Sequence, residues 1–234
     1  GVKIITIEDP IEYHLPGIVQ TQANPDKGYT FALGLRAALR QDPDVIMVGE
    51  IRDEETAKIA VDSAETGHLV FSTLHTNSAA GSFPRLIDLN VNPKTMTSAI
   101  NITLAQRLLR RLCDSCKKKV SIPSEDHIYV NTVLMNLRDK SASLGLQSTE
   151  MWVATGCDKC NGSGYKGRIG IYEAILTDEA LEEAVRGKAS EREIKKATEK
   201  QGILSMEEDG LVKVLKGVTS LDELRRVIEI GEEK

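Results

Sequence analysis

With 234 residues, 41% of them hydrophobic and 28% charged, the chain holds enough apolar material for a core, as one large domain or two small ones. A net charge of -5 and an aromatic content of 4% argue against bulk affinity for a phosphate backbone and against a stacking platform for single-stranded bases. No run reaches the roughly eighteen apolar residues of a membrane helix, and the first residues lack the zones of a secretory signal, so a cytosolic protein is expected.

Residues 2–7 (VKIITI) predict a short buried strand that runs into the acids Glu8, Asp9 and Glu12 and is stopped by Pro10. A helix is predicted over 30–41, opened by Thr30 as N-cap and ended by Asp42-Pro43. VIMV at 45–48 reads as a second buried strand, 54–66 as an amphipathic helix closed by Gly67, and LVFST at 69–73 as a third strand. Helices are predicted over 77–88 and 94–112. This alternation predicts an α/β fold with a mostly parallel sheet covered on both faces and ligands beyond the strand carboxyl ends. From about Cys113 to Arg168 the periodicity weakens around a polar stretch at 121–150 and a glycine-rich loop at 161–167, as in a small metal-stapled module. Three capping-box patterns then follow, Ser190 to Glu193, Ser205 to Glu208 and Ser220 to Glu223, each predicting a short helix.

Several groups of residues have the types and spacing that chemistry needs. The strand VIMV delivers Glu50, as a Walker B strand delivers a carboxylate to magnesium and water, although a buried strand ending in an acid is common. Glu8, Asp9 and Glu12 lie within five residues and resist joint ionisation unless a cation or a basic group is near; a solvated turn is the alternative. His68 and His75 bracket the third strand, where they could donate hydrogen bonds to a phosphate or serve structure alone. Arg36 and Arg40 share a helix face and Arg52 follows Glu50, which fits either phosphate contact or pairing with Asp42, Asp44 and Asp53. Two CxxC pairs, Cys113/Cys116 and Cys157/Cys160, supply the four thiolates of a closed tetrahedral zinc site, with a redox pair as the competing reading. The long segment between the pairs must fold back or carry its own helix.

TIEDPIEY at 6–13, LRAALRQDPDVIMVGEIRD at 35–53 and TGHLVFSTLHTNSA at 66–79 together resemble the Asp box, Walker B and His box of the secretion ATPase superfamily. The resemblance points to its type II secretion and type IV pilus assembly branch, and the segments around the four cysteines look like that branch's zinc subdomain. It implies a RecA-like P-loop NTPase core at 1–112, a four-cysteine zinc module at 113–168 and a helical C-terminal subdomain at 169–234. It also implies that Glu50 serves magnesium and the attacking water, and that Glu12, or next Glu8, helps activate the water. Asp9, His68 and His75 would then bind or sense the phosphates of ATP, and Arg36, Arg40 and Arg52 would reach those phosphates or a neighbouring subunit. The partners implied are five further copies in a homo-hexamer and the cytoplasmic domains of an inner-membrane secretion or pilus platform, with the protein peripheral at that membrane. Pro84 departs from the family pattern, which more often continues the helix there.

No GxxxxGK[ST] loop occurs, and GSGYKGR at 162–168 is its nearest imitation. The family carries that loop upstream of the Asp box, so residue 1 is expected to be a boundary and the chain alone to hydrolyse ATP poorly or not at all. Two rival readings stay open. One is a nucleic-acid motor using Arg107, Arg110, Arg111 and Lys117 to Lys119 as a basic stripe, and the other is a non-catalytic zinc-stabilised module.

Overall fold

The computed structural model describes residues 1–143, 145–146, 149–187 and 190–230; small parts of the expected zinc module and C-terminal subdomain lie outside the described residues. In chain order the elements are β1 (Ile4–Glu8), β2 (Val19–Gln22), α1 (Phe31–Leu39), β3 (Val45–Val48), α2 (Glu54–Glu65), β4 (Leu69–Ser72), α3 (Ser82–Asp88) and α4 (Pro93–Ala99). These are followed by β5 (Ile102–Leu112), β6 (Lys118–Ser121), α5 (Ser124–Asn136), β7 (Glu150–Val153) and β8 (Tyr165–Leu176). Helices α6 (Glu179–Arg186), α7 (Glu191–Thr198), α8 (Met206–Leu215) and α9 (Leu221–Val227) complete the series. The chain folds as two compact units, 1–103 with 176–198 and 104–175 with 199–234.

In the first unit four parallel strands lie in the order β2-β1-β3-β4. Ile5 and Ile7 of β1 and Ile46 and Val48 of β3 are buried, Thr6 between the first two is buried as well, and helices α1 and α2 pack against the sheet. Burying each such aliphatic side chain stabilises the unit by about 1.5–3 kcal/mol. Local capping sets the helix starts: the Leu33 N–H donates to Thr30 Oγ1 at 3.2 Å, and the Thr56 N–H donates to Asp53 Oδ1 at 2.8 Å. The expected cover on both faces does not reach the edge strand β4, where Leu69 and Phe71 are exposed.

The second unit corrects two expectations. Residues 102–112, read as the end of a helix over 94–112, form β5, which pairs with β8 in a two-stranded sheet. Leucines at 104, 108, 109 and 112 imitate a helical stripe, and Leu, Arg and Gln are helix formers. From 102 to 109 burial instead follows a period of two, with Ala105 and Leu109 buried while Leu104 and Leu108 are 65% and 45% exposed, because pairing with β8 overrides local propensity. The start of the expected helical subdomain at 169 belongs likewise to β8. Between the cysteine pairs, β6 and β7 pair antiparallel and α5 packs on α8.

Glu223 is the buried electrostatic centre of this unit, its side chain 0% exposed. Its carboxylate accepts from the Arg110 backbone N–H at 2.9 Å, from the Arg110 guanidinium at 2.9 and 2.6 Å, and from Arg226 at 2.8 and 2.7 Å. Arg110 also stacks on the Tyr165 ring, 4.2 Å from its centroid. The capping pattern predicted a Glu223 that reaches back to Ser220. Only half of that forms, the Glu223 N–H donating to Ser220 Oγ at 3.2 Å while the carboxylate turns to the two arginines.

Burial pushes the Glu223 pKa up, but the arginine and backbone donors outweigh it and hold the carboxyl at about 2 against its ordinary 4.5. A depressed folded-state pKa means that its stabilisation is complete above about pH 4.5 and is lost as pH falls towards 2. Glu223→Ala is expected to cost about 1.5–3 kcal/mol, the range of hydrogen bonds to charged groups. It should also flatten the acid-induced change over that window, read from the fluorescence of Trp152, the chain's one tryptophan, which lies in β7. An unchanged acid limb would refute this assignment.

Candidate functional site at the strand carboxyl ends

Because β1, β3 and β4 are parallel neighbours, the segments that leave their carboxyl ends emerge side by side. The Gly49 N–H donates to the Ile7 carbonyl at 2.8 Å and extends the pairing of β3 with β1. A Cβ at Gly49 would lie 3.2 Å from that oxygen and 3.4 Å from Glu8 Cα, so glycine permits the close approach. The next turn is stitched to β4, with Thr73 Oγ1 donating to the Gly49 carbonyl at 2.7 Å and the Ile51 N–H donating to the Thr73 carbonyl at 3.0 Å.

This stitching sets His75 against Glu50, 25 residues earlier, with His75 Nε2 2.9 Å from Glu50 Oε2. Arg52 Nε donates to the same oxygen. The Glu50 side chain is only 12% exposed while those of Arg52 and His75 are open to solvent. Burial raises the Glu50 pKa, but the hydrogen bonds from Arg52 and His75 prevail and lower it, so Glu50 is a carboxylate at neutral pH. An ionised acid flanked by two exposed nitrogen-bearing groups can accept a proton or orient water while its neighbours face an anion.

The remaining predicted residues are placed less uniformly. Glu8, at the end of β1, accepts from Gln20 Nε2 of β2 at 2.9 Å, and Asp9 and Glu12 are exposed in the loop that follows. Arg36 pairs across the helix surface with Glu55 at 2.9 Å, an acid not among the partners weighed from sequence, and Arg40 is exposed at the end of α1. His68 precedes β4, at the strand end opposite His75, with Nδ1 3.1 Å from the Ser63 carbonyl oxygen of α2. The fold therefore gathers Glu50, Arg52 and His75, with Glu8 at the end of the adjacent strand, and leaves His68 apart. Thr73, whose hydroxyl ties the two turns, is a residue that the sequence pattern does not single out.

In the second unit the four cysteine sulfurs lie within 4.8 Å of one another. Cys113–Cys157, Cys116–Cys160 and Cys157–Cys160 are 3.9, 3.8 and 3.7 Å apart. A zinc ion with Zn–S bonds near 2.3 Å in a tetrahedron separates its sulfurs by about 3.8 Å, so the four side chains fit that ion. Burial opposes ionisation of Cys160, but the N–H groups of Cys157 and Gly164, each 3.2 Å from its sulfur, lower its pKa. The basic stripe beside the cysteines is partly neutralised: Arg110 is held by Glu223, Lys117 by Asp114 at 2.7 Å, and Lys119 by Glu150 at 2.5 Å.

The family model of the type II/IV secretion system protein matches residues 1–226. The chain belongs to this family. Among relatives of the type II/IV secretion system proteins, the type IV pilus assembly ATPase PilB of Thermus thermophilus is 48% identical over 96% of this chain and 24% of its own length. The type II secretion system ATPase E of Vibrio cholerae is also 48% identical, over 96% of this chain and 42% of its own. The chain thus spans less than half the length of these relatives. Among solved structures, the pilus retraction motor PilT with bound ADP aligns with a TM-score of 0.50 and 27% identity over 96% of this chain and 55% of that one. The Legionella pneumophila ATPase DotB aligns with a TM-score of 0.60 at 22% identity, over 96% of this chain and 50% of that one, and shares the α/β fold.

Proposed function

We propose that these residues are the C-terminal portion of a hexameric ATPase that hydrolyses ATP to drive type II protein secretion or type IV pilus assembly. The observation that carries the reading is the convergence of ionised Glu50 with Arg52 and His75 beyond the carboxyl ends of a parallel sheet. Family membership and the ATPase names of the relatives support it. By role, residues 1–112 belong to a RecA-like core, 113–168 to a zinc module and 169–234 to a C-terminal subdomain, a division by motif that differs from the two compact units.

Glu50 would position the attacking water and accept its proton, assisted by Glu12 or Glu8 from the loop after β1. His75, bonded to Glu50 and open to solvent, would report on the terminal phosphate, and Arg52 would face its charge. Asp9, Arg36 and Arg40 are exposed and would reach phosphates or a neighbouring subunit, whereas His68 supports the turn before β4. Magnesium, when bound, would neutralise charge on the phosphates. The protein would work on the cytoplasmic face of the inner membrane, docked on a secretion or pilus platform; no helix among the described residues is long and apolar enough to cross a membrane.

The full-length protein should release phosphate from ATP in a magnesium-dependent reaction whose rate rises with assembly. Absence of turnover under conditions where the hexamer forms would refute this function. A nucleic-acid motor gains little support from the stripe beside the cysteines, where Arg110, Lys117 and Lys119 are already paired with acids.

A further inference from the structure

The segment that carries His75 is held from a place 113 residues further along the chain. Ser78 follows His75 by three residues and is only 7% exposed. Both functions of its hydroxyl are used: it donates to Glu191 Oε1 at 2.6 Å and accepts from the Gly81 N–H at 3.0 Å. Thr76 Oγ1 in turn donates to the Ser78 carbonyl at 3.1 Å, so the backbone between His75 and α3 closes around this serine.

Glu191 is the first residue of α7, whose Ile194 is fully buried and whose Lys195 pairs with Glu191 at 2.7 Å. The bonds from Lys195 and Ser78 lower the pKa of Glu191 against the opposing effect of burial, so a carboxylate accepts the serine proton. A Cβ at Gly81 would lie 3.3 Å from both Glu191 Oε2 and Ser78 Oγ, so the glycine spares this bonded pair a shift of a few tenths of an ångström. Hydrogen bonds to an ionised acceptor are about twice as strong as neutral ones, and this one joins two segments with no local reason to meet.

We infer that Glu191 is a positioning residue that acts through Ser78 to hold the His75 segment in register with Glu50. The inference rests on the reading of Glu50 and His75 as the ATP-hydrolysing site. It makes α7 part of the support of that site: displacement of α7 would loosen the histidine without touching either Glu50 or nucleotide.

The test compares Glu191→Ala, Ser78→Ala and Glu191→Gln in the full-length protein, by amide hydrogen exchange and by steady-state hydrolysis of magnesium-ATP. Both alanine variants should speed exchange over residues 74–83 by about tenfold or more, as expected for loss of one charged hydrogen bond, and leave 45–48 in β3 unchanged. They should lower kcat by about tenfold to a hundredfold with KM little altered, because a displaced group costs rate more than binding. Glu191→Gln keeps an oxygen that can accept from Ser78 and should restore most of both properties. Adding Glu191→Ala to His75→Ala should cost nothing further if the effect runs through the histidine. Unchanged exchange over 74–83 in both alanine variants overturns the inference, and so does faster exchange with parental kcat. A parental protein without ATP turnover refutes the proposed function instead, and exchange alone then decides whether Glu191 holds the segment.

Discussion

Glu50→Gln in the full-length protein is expected to lower ATP turnover by about 10²–10⁴-fold, the range contributed by a positioned general base, while nucleotide affinity stays near the parental value. Glutamine has the shape of glutamate, so it can still accept from Arg52 or His75 in the turn beyond β3. What it lacks is charge. The carboxylate is nearly buried yet held ionised by its two partners, an arrangement that keeps an acceptor-only group beside them and is unneeded for packing alone. Single-turnover hydrolysis with parallel measurement of nucleotide binding separates these terms, and a variant that turns over at the parental rate would remove Glu50 from the mechanism.

Removal of metal from the second unit should have the largest effect on stability. Binding of a structural zinc by thiolates is worth about 10–16 kcal/mol at neutral pH, comparable to the whole stability of about 5–15 kcal/mol of a typical domain. Chelation, or Cys113→Ser, is therefore expected to unfold the segment around β6, β7 and α5, to expose Trp152 to water and to make the remaining thiols reactive. Trp152 reports this directly, because Lys117, next to Cys116, lies 5.2 Å from its ring and donates to the Gly217 carbonyl at 3.0 Å. Elemental analysis should find one zinc per chain. Full retention of Trp152 fluorescence and thiol protection after chelation would show that the four cysteines do not depend on metal.

The sheet and the site were legible where local sequence and final structure obey the same rule. Thr30 caps α1 by a contact three residues long, and VIMV is buried in any parallel sheet, whereas Asp53, weighed as a partner of the arginines, caps α2 instead. The failures come from contacts between distant residues. Leucines of β5 have a helical spacing that only pairing with β8 contradicts, and Glu223 has the local form of a capping residue but answers to Arg110, 113 residues away. His68 and His75 looked equivalent beside one strand, yet a parallel strand has two chemically different ends, and only His75 leaves by the one that carries Glu50. For Arg36 the sequence offers either a phosphate or nearby aspartates, whereas the neighbouring helix α2 presents Glu55. The cysteine quartet was readable because the two CxxC pairs name its four members regardless of the fold between them.

The interleaving of the two units also governs how the chain is born. The first unit needs residues 176–198 as well as 1–103, so it stays incomplete until most of the second has been synthesised. At about 5–20 residues per second, the 95 residues from 104 to 198 hold the ribosome for about 5–20 s after α4 and its preceding strands exist. During that interval Ser78 awaits Glu191, and the parallel sheet stands without the last helices of its own unit. Nascent chains halted before residue 191 should therefore be the most open to proteolysis around residues 74–83.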